Sequence, residues 1–228
     1  MIPLGDVARG YFEDGGAYYD AELNFLDQHP GTTWSYANLG YALLGRIGEI
    51  AAEDDFREVC SAAVLKPLGM RDSSMRLAEL DPDRMAVPYL WDGEEHLTWG
   101  QYTFADYPNG GLFASAHDIV RFAAAVGDPA LLEARGVLGR ASREEMLRPH
   151  VAAPEREGTQ AIGFVHTELA GEAMYGHDGS EIGVLTSMRI RARDGMAVVL
   201  LTNNGQKQDI APIQAILETL FEAATSLD

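Results

Sequence analysis

The sequence predicts an α+β fold: a helical lobe followed by an antiparallel sheet flanked by helices. Three observations carry that prediction. Apolar residues recur at helical spacing through the earlier part of the chain, four short alternating segments separated by turn residues follow Pro154, and an amphipathic stretch closes it. Helices, then a meander, then a helix is the order of an α+β domain and not of repeating βαβ units.

Met1–Gly16 carries Gly and Asp without a clear period and reads as irregular. Tyr18–Gln28 reads as a short helix with Leu23 and Leu26 facing inward. Pro30-Gly31 is a turn pair, since Pro fixes φ and Gly supplies the freedom the next step needs. Beyond it Tyr41, Leu43, Leu44, Ile47 and Ile50 recur at helical spacing, so a buried helix starts near Asn38, its expected N-cap. Asp54-Asp55 opens another helix to about Val64, with Phe56, Val59, Cys60 and Ala63 as its apolar stripe and Pro67 and Gly69 as its stop. Leu77–Tyr107, rich in Asp, Pro and aromatics, reads as loop with short strands.

Asn109-Gly110-Gly111 is a sharp turn whose paired glycines permit close backbone approach. Ser115 with Asp118 forms an acidic capping box that opens a helix to about Val126. Shorter helices follow around Leu131 and over Ser142–Leu147. Ile162–Thr167, Met174–Gly176, Gly183–Arg191 and Met196–Thr202 are the four expected strands. Asp209–Ala224 is the closing helix, with Ile213, Ile216, Leu217, Leu220 and Phe221 on one face. A single domain is expected over 1–228, mainly helical to about residue 155 and stranded, with its C-terminal helix, from about 156.

Composition excludes several classes. The 228 residues carry a formal charge of −18, which would repel a nucleic-acid backbone, and no Lys/Arg cluster offsets it. A hydrophobic share of 46% and a mean hydropathy of −0.12 are those of an ordinary globular chain. No apolar run approaches the ~20 residues of a membrane helix. Met1–Asp6 has neither a basic n-region nor an apolar h-region, so no signal peptide is read there and the cytoplasm is the default expectation. Cys60 is alone and reads as a core thiol. His29, His96, His117, His150 and His166 show no ligand spacing, and no zinc pattern or phosphate-binding Gly loop occurs, so neither metal nor cofactor is expected.

Two places concentrate functional residue types. Tyr36-Ala37-Asn38 presents a phenol and a carboxamide together at the mouth of a helix, although a helix cap worth about 1 kcal/mol and packing on Trp34 would account for both. Gly176-His177-Asp178-Gly179-Ser180 places a titratable ring beside glycine, or is simply a turn. Tyr102, Phe104 and Tyr107 either line a cleft or pack a loop onto the core.

Taken in order, "PGTTWSYANLGYALLGRIGEI" from Pro30 to Ile50, "LKPLGM" from Leu65, "NGGLFASAHDIVRF" from Asn109 and "GHDGSEIG" from Gly176 resemble landmarks of the penicillin-recognising serine hydrolases. This family includes class C β-lactamases, D-alanyl-D-alanine peptidases and esterases of the same fold. The resemblance implies acyl transfer through an acyl-enzyme on small esters, amides or β-lactams. It implies that Tyr36 shuttles the nucleophile's proton, which a phenol of free pKa near 10 does only beside a cation. Asn38 would hold the substrate carbonyl region, and His177 would bind a carboxylate or orient the shuttle. Gly179 would let substrate lie along the strand, the Ser180 N–H would be an oxyanion donor, and Asp178 is counted with the substrate-binding residues. His177 in place of a lysine leans towards peptidase or esterase.

The family's nucleophile, a Ser three residues before a Lys, has no match. Lys66 follows Ala63 and Lys207 follows Asn204 at that spacing. The expectation is therefore a β-lactamase/transpeptidase-like fold whose N-terminal strands and nucleophile helix are missing from this sequence. Such a chain either self-associates or takes up an N-terminal segment that completes the sheet. A catalytically inactive binding or regulatory homologue is the alternative.

Overall fold

The computed structural model describes residues 2–153, 158–205 and 210–226. In chain order, α1 (Leu4–Phe12) leads through a loop to α2 (Asn38–Ala52), α3 (Phe56–Cys60), a π-turn over Ser61–Leu65 and α4 (Lys66–Leu68). Next come β1 (Ser73–Ser74), β2 (Tyr89–Trp91), β3 (His96–Thr98) and β4 (Phe113–Ala114), then α5 (Ala116–Gly127), α6 (Pro129–Ala134) and α7 (Arg140–Leu147). The sheet strands are β5 (Val151–Ala153), β6 (Gly158–Gln160), β7 (Val165–Leu169), β8 (Glu172–Glu181), β9 (Val184–Arg191) and β10 (Ala197–Thr202), and α8 (Ile210–Thr225) closes the chain.

The six strands form one antiparallel sheet in the order β10-β9-β8-β7-β6-β5, and β1–β4 and β2–β3 are two small ribbons. The sheet is covered on both faces. Tyr175 and Ile190 pack against Ala123 and Val126 of α5, with Ala161 and Phe164 beside them. Leu169, Met174 and Val198 on the other face meet Leu217 and Phe221 of α8. The expected helical lobe and meander are both present, and β5 and β6 widen the sheet beyond the four expected strands. The texture change expected at Pro154, the boundary near 155 and Asp209 at the head of the last helix lie outside the described residues.

Several local expectations are corrected. Met1–Gly16 holds α1, whose Leu4 and Val7 are buried. Tyr18–Gln28 forms turns, not a helix: Asp20 Oδ1 accepts the Glu22 and Leu23 N–H groups and closes the chain locally, leaving Leu23 83% exposed and Leu26 outside as well. Pro67 does not stop its helix. The π-turn before it carries the chain past a residue that lacks an N–H, and Gly69 at φ 69° ends the run. In α2 the small face points inward: Ala42 is buried, and a Cβ on Gly45 would lie 2.5 Å from Pro108. Leu44, Ile47 (54% exposed) and Ile50 face outward, so α2 is a helix as expected but not a buried one.

Ser115 caps α5, its Oγ accepting the Asp118 N–H at 3.2 Å. Asp118 does not complete a capping box. Its fully buried carboxylate accepts the Asp72 N–H at 2.7 Å, the Ser73 hydroxyl at 2.8 Å and an Arg121 N–H at 2.6 Å, which ties α5 to β1. Asp118→Ala removes all three and leaves the Asp72 N–H and the Ser73 hydroxyl without this acceptor. It is expected to lower stability by about 2–4 kcal/mol in urea denaturation.

Candidate active site

The loop before α2 brings Tyr36 against β8, where its ring centroid lies 6.3 Å from that of His177 at an interplanar angle of 32°. Asn38 begins α2 but does not cap it. The N-cap position belongs to Ala37, and no side chain bonds the helix start there. A phenol and an imidazole from opposite ends of the described chain thus share one surface, with Asn38 two residues beyond the phenol.

Strand β8 is built in two halves. Its ladder with β7 runs from Leu169↔Glu172 to Val165↔Gly176 and stops, while its ladder with β9 continues to Glu181↔Val184. His177–Glu181 therefore has a β9 neighbour on one side and an open edge on the other, among the described residues. Leu185, opposite Ser180, donates its N–H to Thr202 Oγ1 at 3.2 Å on the β10 side. Alternation along an antiparallel pair then turns the Ser180 N–H towards the open edge. Gly179 stays on the His177 face, where a Cβ would lie 2.4 Å from Thr186 Oγ1. Any larger residue would displace that hydroxyl.

Asp178 points to the opposite face. Its carboxylate accepts two N–H bonds from Arg189, both at 2.8 Å, and the Ser187 hydroxyl at 2.6 Å. Asp178 makes its ion pair on that face because strand alternation places residues 177 and 178 on different faces. Burial pushes the Asp178 carboxyl up, but the Arg189 hydrogen bonds and charge, the Ser187 hydroxyl and the His177 charge outweigh it and hold the group below its ordinary value.

At the far end of β8 stand Glu181, which the sequence does not single out, and Tyr102 and Phe104 of the aromatic run. Glu181 is raised by burial and by the charge of Asp106. The Tyr102 hydroxyl donates to the Ile182 carbonyl at 3.3 Å, and its acidity is weakened by burial and by Glu181. Phe104 stacks near Tyr102, with centroids 6.3 Å apart. Of the aromatic run, Tyr107 alone is core, donating to Glu49 Oε1 at 3.2 Å under the Arg57 guanidinium. His117 is exposed, and Cys60 is a half-buried free thiol that burial pushes up to about 11. Among the described residues no cluster of His, Cys, Asp or Glu could hold a metal ion.

A helical lobe laid on an antiparallel sheet, with a tyrosine loop set against a glycine-bearing strand edge, is a β-lactamase/transpeptidase-like architecture. Known proteins agree: the Beta-lactamase family model matches residues 15–221. The chain belongs to the beta-lactamase family. It is 29% identical to penicillin-binding protein 4 of Amycolatopsis lactamdurans, over 87% of this chain and 57% of that protein. It is 30% identical to esterase EstB of Burkholderia gladioli, over 86% of this chain and 55% of that one. The octameric penicillin-binding protein homologue of Pyrococcus abyssi shares the fold at a TM-score of 0.72 and 21% identity, covering 90% of this chain and 45% of its own. The chain spans about half the length of the curated relatives it matches.

The Asp178 pair gives a pH test. A carboxyl whose folded pKa lies below its unfolded value of ~3.9 adds stability above that pH and loses it as pH falls through the folded pKa. Asp178→Asn is expected to flatten the acid limb of a stability-against-pH curve below about pH 4. Thermal melts at intervals from neutral pH downwards measure it, and an unchanged limb would deny the pair its role.

Proposed function

We propose that this chain supplies the proton-shuttle and oxyanion side of an acyl-transfer site acting on small esters, amides or β-lactams. The approach of Tyr36 to His177 is the observation that carries this reading. Family membership and the relatives named for penicillin binding and ester hydrolysis support it. In this reading Tyr36 moves the nucleophile's proton, Asn38 and His177 hold the substrate, and Gly179 gives it room to lie along β8. The Ser180 N–H stabilises the oxyanion, and Asp178 stays in the group that shapes the substrate strand. Burying an oxyanion beside a backbone N–H is what lowers the barrier to attack at a carbonyl.

The nucleophile comes from a Ser-x-x-Lys segment outside this sequence. Two surfaces are suited to receive that segment or, failing it, a second copy. Among the described residues β10 pairs with β9 alone, and Ala197–Thr202 carries neither charge nor proline to blunt its edge. The outward face of α2, with Leu44, Ile47 and Ile50, is the other. An inactive binding homologue is the second reading, favoured by the same lack of a Ser-x-x-Lys.

Incubation with a fluorescent penicillin or a fluorophosphonate, read by mass spectrometry, separates the two. The chain alone is expected to stay unlabelled. Together with a Ser-x-x-Lys segment it is expected to hydrolyse substrate, and Tyr36→Phe then to slow turnover by roughly a hundredfold. Stoichiometric labelling of a serine in the lone chain would place the nucleophile elsewhere, and inactivity with the segment bound would leave the binding homologue.

The open edge is tested separately. The chain alone is expected to self-associate with rising concentration in sedimentation, and Leu201→Lys on β10 to weaken that association. A monodisperse monomer at every concentration counts against it.

A further inference from the structure

Behind the Tyr36–His177 surface lies a second polar arrangement. On the opposite face of β8, Gly176 has no side chain, and a cavity of about 50 Å³ opens among Val165, Thr167, Gly176, His177, Asp178 and Arg189. Register explains its place: Gly176 pairs with Val165 on one side and Arg189 on the other, and Thr167 lies two pairs away, on the same face, opposite Met174. Thr167 Oγ1 is sealed from solvent and has no hydrogen-bond partner among the described residues. A buried hydroxyl without a partner is disfavoured, and polar cavities of this kind are filled by water. One water needs ~10–15 Å³ and two to four polar partners. The volume suffices, and a hydroxyl, a carboxylate and a guanidinium line it.

We infer that this cavity is a water site joining the Thr167 hydroxyl to the Asp178–Arg189 pair, and that these three are positioning residues for the free half of β8. The need is local. Beyond Gly176 the strand has lost its β7 partner, so what fixes His177–Ser180 laterally is the β9 ladder, the Asp178–Arg189 bonds and whatever fills the space at the end of β7. Water there ties Thr167 of β7 to Asp178 of β8 across the point where their ladder ends. The water site stands by itself; the positioning role rests on the proposed use of His177–Ser180.

Thr167→Val separates a wet cavity from a dry one by sign. In a dry cavity valine removes an unpaired hydroxyl and raises Tm. In a wet one it strands the water, and Tm is expected to fall by about 2–4 °C. A high-resolution crystal structure of the wild-type chain is expected to show solvent density within hydrogen-bond distance of Thr167 Oγ1, lost in the variant. Amide hydrogen exchange tests positioning without any need for activity. In Thr167→Val and Arg189→Met the amides of His177 and Gly179, which alternation turns towards β9, are expected to exchange about tenfold faster, while those of Ala123–Val126 in α5 hold their rates. A rise in Tm with an empty cavity overturns the water site. Equal acceleration in both segments, or none in either, overturns the positioning role, and neither result bears on whether the chain takes part in acyl transfer.

Discussion

The β8–β9 ladder is the interaction on which the rest of the molecule depends. Eight successive pairs, from Met174↔Arg191 to Glu181↔Val184, join these strands. Their first half is deep in the sheet, where Tyr175 and Ile190 meet α5 and Met174 meets α8. Their second half runs past the end of β7 and becomes an edge. One strand is therefore core at one end and surface at the other, so the rigid part aims the exposed part. Sites built on strands this way hold their geometry better than sites on loops.

The hairpin tip is fixed as well. Gly183, at φ 74°, turns the chain with Pro88 and Tyr89 so close that a Cβ would lie 2.8 Å from Pro88. Tyr89 donates its N–H to the Asn203 carbonyl at 2.8 Å, and Asn203 returns a side-chain bond to the Val87 carbonyl at 2.9 Å. The Leu77–Tyr107 segment, which the sequence marks as loop with short strands, is thus pinned to the end of β10 and to the tip of the β8–β9 hairpin. Its Tyr102 and Phe104 stand at the far end of the open edge for that reason, and Gly183 is required by both its φ and its neighbours.

What the sequence revealed and what it hid follow from the kind of signal each residue gives. Val184–Arg191 and Ala197–Thr202 were legible because strand periodicity and β-branched residues agree there. Met174–Gly176 was read too short, since His177, Asp178 and two glycines dilute the apolar pattern over the half of β8 that lies on the surface. In α2 the large apolar residues announce a helix, yet the face that meets the lobe is the small one, Ala42 and Gly45. Periodicity identifies a face but not what that face meets. The Tyr36–His177 approach was legible only through the order of family landmarks, because no local pattern links two residues so far apart. Arg189 as the partner of Asp178 was not, since it depends on a register that single strands do not reveal.

Alternation along β8 has a further consequence. His177 and Gly179 face the Tyr36 side, while Gly176 and Asp178 face α8, and each set is one residue out of phase with the other. The two faces cannot vary independently. A larger residue at 179 displaces Thr186 Oγ1 on the His177 face, and loss of Asp178 frees Arg189 on the other; both act on the same short run of backbone. The charge that Arg189 neutralises also matters to the near face, because His177 is among the groups that hold the Asp178 carboxyl ionised. Support and chemistry thus share one strand, and a substitution at residue 178 reaches the His177 surface through the backbone and through charge, without touching anything bound there.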